Sequence, residues 1–341
     1  MFSDNHIPFS VGALLYSPAN NKTIAHSIIN ERFGNLFSLS LCLEDSIGDN
    51  EKVIEAAQDQ IAITFQTLKK ALQYKTFYLP KIFIRVREPK QALFMFKKLK
   101  DCQCQQLLTG FIFPKFDLEN NSQYIQIIQE INAISSHTIY MMPILESSAL
   151  LSLKQRSDML YSIKDSLDSI SELVLNVRVG GNDLCHTLGL RRNKEETIYD
   201  ILPISQILSD ILTVYSRDYV VSGVVWEYFN GTTPKWKIGM RKELQLDRLN
   251  GFIGKTVIHP NQIPIVNESL KVRDTDLEDA KGILSWDKNS DSMVSKNPSS
   301  ERMNEYKTHT NWAKKILILS EIYGVKHMAN GNLTHLKHNF L

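Results

Sequence analysis

The sequence contains few cysteines and no long hydrophobic segment. Its four cysteines show no CxxC spacing, so neither a zinc site nor a disulfide framework is indicated, and a reducing compartment is the simplest expectation. No apolar run approaches the roughly 18 residues that a membrane helix requires, and the N-terminus lacks the apolar core of a signal peptide. We therefore expect a cytoplasmic protein with no membrane partner.

The sequence also has no marked excess of positively or negatively charged residues. Lys and Arg total 39 against 37 for Asp and Glu, without a long run of one sign, so no nucleic-acid partner is expected. The motifs GxGxxG, GxSxG and HExxH do not occur. Gly254-Lys255-Thr256 resembles the end of a phosphate-binding P-loop, but Leu249 stands where the first glycine of that motif belongs. Nucleotide-binding, serine-hydrolase and zinc-protease classes are therefore disfavoured.

Short apolar runs alternate with longer segments of helical periodicity. Most of these runs are apolar throughout, which is typical of parallel strands buried on both faces. Eight such units without a glycine-rich phosphate motif predict a closed (β/α)8 barrel of the α/β class rather than an open sheet. The predicted strands are residues 13–17, 37–43, 82–86, 110–113, 138–145, 173–179, 219–225 and 252–258. The predicted helices between them include residues 52–72, 91–99, 122–134, 147–161, 195–215 and 241–250.

The same pattern divides the chain into a barrel and a C-terminal extension. We expect residues 1–271 to form the barrel and residues 272–325 to form a helical extension, whose last helix covers about 301–323. Residues 287–300 are rich in Ser, Asn, Asp and Lys, so they are expected to be a polar linker or lid. Residues 326–341 are expected to be a disordered tail.

Charged side chains follow seven of the eight predicted strands. In a (β/α)8 barrel the catalytic groups lie at the carboxyl ends of the strands. Any one of these residues could simply cap the next helix, but clustering charges at one rim costs solvation free energy unless a site uses them. In strand order they are Glu44 with Asp45, Arg85 with Arg87, Lys115, Glu146, Asp183, Glu227 and His259.

Two of these carboxylates, Glu146 and Asp183, follow adjacent strands. Mg2+ prefers oxygen ligands and usually keeps waters beside one or two protein carboxylates, so the pair predicts an Mg2+ site, with Mn2+ as an alternative. Such a site leaves positions open for a 2-oxo or 2-hydroxy acid and would stabilise the enolate formed when a carbon–carbon bond breaks. Arg85 could hold that developing charge. Gly180 and Gly181 would let the backbone approach the bound molecule.

An aromatic segment follows the seventh predicted strand. It begins with Trp226, Tyr228 and Phe229 and continues to Trp236. Such a segment would either exclude water from the mouth of the barrel as a lid or pack into the core. Both alternatives are open on the sequence alone.

Taken in order, these motifs resemble the citrate lyase β-subunit-like superfamily, also called the HpcH/HpaI aldolase/citrate lyase family. The resemblance covers about residues 12–323. Leu43-Glu44-Asp45-Ser46 matches the family's Leu-Glu-Asp-Ser, and Ile84-Arg85-Val86 matches its arginine strand. Residues 251–263 are close to its most recognisable stretch, and the Ser-Pro-Ala-Asn at residues 17–20 is similar to a divergent branch linked to bacterial stress and tellurium-resistance gene clusters.

The resemblance implies a carbon–carbon bond lyase on a (β/α)8 barrel. Members act on citryl-, malyl- or methylmalyl-type thioesters or are aldolases of 2-oxo acids, and they usually assemble as homo-oligomers, as trimers or larger rings. The metal ligands then fall on Glu146 and Asp183. The further candidates are Arg85, Glu44, Asp45 and Lys115 as catalytic groups, and Arg85, Arg87, Glu227 and Trp226 as substrate contacts.

Departures from the family pattern bear on the substrate. Cys42, Arg87 and Ala19 stand where the family often has Asp, Asn and Gly. Landmarks of the coenzyme A pocket are missing near residues 272–291, so the use of a coenzyme A thioester is left open. Two alternatives to a lyase are also open: an acyl-CoA condensing enzyme or thioesterase of the same superfamily, and a catalytically silent barrel acting as a subunit or ligand sensor.

Overall fold

Eight parallel strands form the centre of the fold in the computed structural model, which describes residues 6–287, 292–297 and 300–327. Each strand pairs with the next along the chain, and β1 pairs with β8. A parallel bridge between Gly223 and Lys255 joins the last two strands, so the sheet closes into the predicted barrel. The strands are β1 (Ala13–Pro18), β2 (Phe37–Cys42), β3 (Lys81–Arg85), β4 (Leu108–Phe113), β5 (Tyr140–Leu145), β6 (Val177–Val179), β7 (Val221–Ser222) and β8 (Lys255–Val257).

Helices connect the successive strands, as the alternating pattern predicts. Two of them, α6 and α7, lie between β6 and β7, and α9 follows β8. The helices are α1 (Ile24–Ile29), α2 (Glu51–Ala71), α3 (Pro89–Asp101), α4 (Asn121–Ile134), α5 (Arg156–Asp168), α6 (Gly181–Thr187), α7 (Leu202–Tyr215), α8 (Lys235–Asn250) and α9 (Ile263–Leu270). None of the helices in the described residues is long and apolar enough to cross a membrane.

Several predicted element boundaries were wrong. The helix expected over 147–161 is a 3-10 turn at Ser148–Leu151 followed by α5, because Ser147 caps the turn through Ala149 N–H and Ser152 is extended. The helix expected over 195–215 begins only at Leu202, where Pro203 occupies its first turn. Two helices, α1 and α6, were missed because six and seven residues are too few to show a helical period.

The interior of the barrel is apolar towards the amino ends of its strands. Leu14, Phe83, Ile112 and Met142 are fully buried there and belong to one core cluster. Side chains two residues apart on a strand point to the same face. The next layer towards the carboxyl ends therefore contains Tyr16, Arg85 and Ile144.

A charged network is buried outside the barrel, where α8 packs against β8. Lys255 Nζ lies 2.8 Å from Glu243 Oε1 and 2.7 Å from Asp247 Oδ2, and the side chains are 0%, 0% and 5% exposed. The Tyr199 hydroxyl donates to Asp247 Oδ1 at 2.7 Å. A Cβ on Gly223 would lie 2.9 Å from Asp247 Oδ2, so a larger residue there would press on the pair. The network fixes β8 through Lys255. Thr256, the next residue on this strand, points to the opposite face.

The chain divides into two compact units between Ser269 and Leu270. The second unit contains α10 (Asp274–Leu284) and α11 (Tyr306–Tyr323), with a parallel pair of β9 (Val272–Arg273) and β12 (Val325–Lys326). An antiparallel pair, β10 (Val294–Lys296) and β11 (Met303–Glu305), occupies part of the expected linker and the start of the expected last helix. Residues 288–291 and 298–299 of that linker, and 328–341 of the expected tail, lie outside the described residues.

We predict that Lys255→Met lowers the free energy of unfolding by about 3–5 kcal/mol, because it removes the buried cation that Glu243 and Asp247 share. Denaturant titration measures the change. The matched control is Lys98→Met, which breaks an ion pair whose Asp59 partner is 65% exposed and should cost about 0–1 kcal/mol. Equal effects of the two substitutions would contradict the structural role assigned to Lys255.

Candidate active site

A cavity of about 390 Å³ lies at the carboxyl ends of the barrel strands. Strands β1, β3, β5, β6 and β8 and the segments that follow β2, β5, β6 and β7 supply its lining. Of the residues predicted from strand ends, it brings together Asp45, Arg85, Glu146, Asp183 and Glu227. Carboxylates that follow four different strands thus share one cavity with the Arg85 guanidinium.

Glu146 is the most constrained of these residues. It follows β5 directly and is 5% exposed. Its Oε1 accepts the backbone N–H of Lys115 at 2.9 Å and lies 3.7 Å from Arg85 Nη2. Lys115 reaches this position with a φ of 49°, which few residues other than glycine adopt. A Cβ on Gly180 would lie 1.9 Å from Glu146 Oε2, so only glycine fits beside that oxygen.

The electrostatic environment opposes a negative charge on Glu146. Burial raises the pKa of Glu146 to about 8; Arg85 acts in the opposite direction, and the nearby Asp183 raises the pKa further. Asp183 lies in the first turn of α6 and also lines the cavity. A cation bound between the two carboxylates would offset both the cost of burying the Glu146 charge and its repulsion by Asp183.

Few side chains in the cavity could bind a cation, and their ligand atoms are carboxylate oxygens. Among the described residues, no group of three or more His, Cys, Asp or Glu side chains is arranged to hold a metal ion. Glu146 and Asp183 would therefore bind a cation through two carboxylates and leave its other positions to water and to a ligand. This arrangement fits a hard divalent cation better than zinc, whose structural sites are closed by four ligands.

Arg85 is held by carboxylates from the end of β2. Its Nη2 lies 2.6 Å from Glu44 Oε2 and 3.1 Å from Asp45 Oδ2, and the side chain is 7% exposed. Lys115 Nζ lies 3.1 Å from Glu44 Oε1, so Glu44 contacts two cations. Cys42 Sγ accepts from Arg85 Nη1 at 3.8 Å. Burial opposes ionisation of Asp45, but its contacts with Glu44 and Arg85 outweigh burial and lower the pKa of that carboxyl.

Arg87 does not line the cavity, contrary to its predicted role as a substrate contact. Its guanidinium donates to the backbone oxygens of Leu43 at 2.5 Å, Glu44 at 3.1 Å and Ile47 at 2.9 Å, and it pairs with Asp49. These bonds fix the segment that carries Glu44. Arg87 therefore acts on the site through the backbone.

Trp226 was also expected to contact substrate, and its placement corrects that expectation. Its side chain is fully buried, with the Arg192 guanidinium 5.3 Å from the ring centre. Trp236 is only 4% exposed. Of the aromatic segment, Phe229 is the exposed ring, and it stacks on His259 at 4.6 Å. Both tryptophans therefore pack into the protein. Of the two alternatives for the aromatic segment, core packing holds at these two positions and a lid does not.

Five further cavity residues with polar groups were not identified from the sequence: Tyr16, Arg178, Asn182, Arg191 and Thr256. Arg191 Nε lies 3.1 Å from Glu227 Oε1, so the predicted Glu227 enters the cavity already paired. Arg178 could have been found, since it is the one charged residue in the predicted strand 173–179, which is apolar apart from Asn176, and a charge is rarely buried there without a role. Thr256 lies in a predicted strand and in the stretch that resembles the family, but a neutral side chain within a strand gives no signal that it faces a cavity.

A family model described as C-C bond lyase of the TIM-barrel fold matches residues 5–325. The chain belongs to this family. The carbon–carbon lyase class and the barrel predicted from the sequence are thereby confirmed. No match is found among curated proteins.

Solved structures similar to this C-C bond lyase share its fold at low sequence identity. A citrate lyase from Burkholderia xenovorans has a TM-score of 0.67 and 12% identity, with 93% of this chain and 94% of that chain covered. CitE from Mycobacterium tuberculosis, in complex with magnesium, acetoacetate and coenzyme A, has a TM-score of 0.57 and 16% identity, with 92% and 99% covered. A citrate lyase β subunit from the same organism, complexed with oxaloacetate and magnesium, has a TM-score of 0.50 and 17% identity, with 78% and 99% covered.

The raised pKa of Glu146 predicts a pH dependence of stability in the metal-free lyase. Because the folded-state pKa of about 8 exceeds the usual 4.5, the protonated carboxyl stabilises the fold fully at low pH, and this contribution is lost as pH rises through about 8. Glu146→Gln lacks the titration. Its free energy of unfolding should therefore exceed that of the wild type increasingly from pH 5 to pH 8, by an amount on the order of several kcal/mol.

Denaturant titrations in a chelator across this pH range measure the difference. Asp49→Asn is the control, since the Asp49 side chain is 94% exposed and its removal should leave the pH profile parallel to that of the wild type. A Glu146→Gln profile parallel to the wild type would show that Glu146 titrates normally.

Proposed function

We propose that this protein is a Mg2+-dependent lyase that cleaves a carbon–carbon bond of a small hydroxy acid by a retro-aldol or retro-Claisen reaction. The observation that carries the proposal is the placement of Glu146 and Asp183 in one cavity with Arg85. The contacts of Glu146 described above use Oε1, whereas Oε2 faces Gly180, where any other residue would fill the space. The carboxylate is thus held with one oxygen directed away from its protein donors.

The donor set is that of a magnesium site. Two carboxylates with open positions match the preference of Mg2+ for oxygen ligands and retained waters. Magnesium in the Mycobacterium tuberculosis relatives supports the same choice of ion. When bound, Mg2+ would supply a Lewis acid for an oxygen of the substrate. Glu146 and Asp183 would hold it.

Arg85 is the group we assign to the charge that develops when the bond breaks. Glu44 and Asp45 hold its Nη2 in place, so little reorganisation is needed during the reaction. Its buried Nε has no hydrogen-bond acceptor among the described residues, which leaves a donor for substrate oxygen. Lys115 and Glu227 are secondary contacts in this proposal.

The size of the cavity favours a small acid as the bound group. About 390 Å³ is near the lower end of the range for small-molecule sites. A 2-oxo or hydroxy acid offers a carboxylate for a guanidinium and an adjacent oxygen for the metal. Assembly as a trimer or larger homo-oligomer stays a prediction.

Asp183→Ala tests the proposal. It should reduce Mg2+-dependent release of a 2-oxo acid from the best substrate of a hydroxy-acid panel at least about a hundredfold, because the metal loses one of two carboxylates. Calorimetric titration with Mg2+ should show the same loss of binding, and circular dichroism should show an intact fold. Asp49→Ala removes a carboxylate that is 94% exposed and should retain activity. Unchanged Mg2+ binding by Asp183→Ala would refute the proposal.

A further inference from the structure

Arg178 is a buried cation that the proposed reaction does not yet use. It is 2% exposed, lies on β6 and lines the cavity. Its Nη2 donates to Thr256 Oγ1 at 2.6 Å. Its Nε and Nη1 are buried and have no acceptor within the described part of the chain. Two donor positions of this guanidinium are therefore unsatisfied at the cavity.

Burial of this kind is costly for arginine. The group does not lose its proton in proteins, so it cannot avoid the cost by becoming neutral. Burial lowers the pKa of Arg178, the neighbouring Tyr16 raises it, in part through a side-chain hydrogen bond, and the charge of Arg85 lowers it. No carboxylate contributes to that balance. An anion from outside the protein would supply the missing partner.

Other buried arginines in the barrel have carboxylate partners. Arg85 contacts Glu44 and Asp45, as described above. Arg192 Nε lies 3.4 Å from Glu243 Oε2, with both side chains nearly inaccessible. Arg178 differs from them in having a neutral hydroxyl as its hydrogen-bond acceptor. The difference indicates a ligand-binding role rather than a structural one.

Tyr16 and Thr256 complete the surroundings of Arg178 at the cavity. Both line it. Burial raises the pKa of Tyr16, which keeps its hydroxyl neutral and able to donate. The Arg85 guanidinium lies 5.6 Å from the centre of the Tyr16 ring, and the charges of both Arg85 and Arg178 act on the Tyr16 hydroxyl. The cavity thus offers one guanidinium, Arg85, that contacts Glu44 and Asp45, and a second, Arg178, whose charge no carboxylate offsets.

We infer that Arg178, with Tyr16 and Thr256, forms a binding site for a second carboxylate of the substrate. The substrate class is then a dicarboxylic hydroxy acid, with one carboxylate at Arg85 beside the ion that Glu146 and Asp183 would hold and the other carboxylate at Arg178. The planar guanidinium fork suits a carboxylate, which can accept two parallel N–H bonds. This inference rests on the proposed function for the position of the first carboxylate.

Binding of two acids that differ by one carboxylate tests the inference. In the presence of Mg2+, calorimetry should show that the wild type binds racemic malate about tenfold or more tightly than racemic lactate, because a charge-assisted hydrogen bond is gained. Arg178→Met should weaken malate binding to the level of lactate and leave lactate binding unchanged. Arg178→Lys, which keeps the charge but loses the fork, should weaken malate by at least about threefold.

Each other outcome is decisive. Equal affinity of the wild type for the two acids would overturn the inference, as would equal weakening of both by Arg178→Met, which would place Arg178 at the first carboxylate. Failure to bind either acid would overturn it as well. Failure of the proposed function is recognised separately, because Asp183→Ala would then leave Mg2+ binding unchanged whatever the result with malate.

Thermal unfolding without metal or acid gives an independent readout. Arg178→Met removes a cation that lacks a carboxylate, so its Tm should fall by no more than about 2 °C or should rise. Arg192→Met is the matched control, and its Tm should fall by roughly 6–12 °C because Glu243 loses a buried partner. A fall in Arg178→Met as large as that of the control would assign Arg178 a structural role and overturn the inference.

Discussion

The burial of Glu146 is the constraint on which the site depends. A carboxyl group that is 5% exposed and close to a second carboxylate can be tolerated only if it stays protonated or its surroundings compensate the charge. Lys115 supplies a backbone N–H from a left-handed conformation, and Gly180 leaves room that a Cβ would fill. Arg85 supplies a nearby cation. Residues from three different strand ends are thus arranged around one carboxylate.

The strands that carry the site are fixed by interactions on their other face. On β8, Lys255 points outward into a closed network with Glu243 and Asp247, and Thr256 points inward to the cavity. After β2, Arg87 binds four backbone oxygens of the segment that carries Glu44. Rigid supports of this kind keep charged groups in place where their own repulsion would otherwise move them.

Charges outside the cavity and charges within it differ in how completely they are paired. Glu243 and Asp247 share Lys255, and Arg192 adds a further contact to Glu243. In the cavity, the carboxylates of Glu146 and Asp183 outnumber the cations that contact them directly in the described residues. Arg178 has N–H donors without acceptors among the described residues. Incomplete pairing is expected where a ligand and an ion complete the set, because a binding site is pre-organised for partners that the protein itself does not contain.

The sequence by itself determined the barrel, the order of its strands and the four carboxylates that line the cavity. Parallel strands place their carboxyl ends at one rim, so Glu146 and Asp183 could be assigned to one mouth from their positions alone. Long helices such as α2 and α4 were predicted to within a residue because their apolar period is repeated several times. Short helices such as α1 and α6 give no such signal.

Only the tertiary structure decided which side chains enter the cavity. Whether Arg87 faces substrate or backbone, and whether Trp226 covers the mouth or packs beneath it, depends on contacts between segments distant in sequence. The same is true of Arg178, whose strand position was known but whose lack of a carboxylate partner appears only when the neighbouring strands are in place. Periodicity fixes the face of an element, whereas pairing between charges depends on distances across the fold.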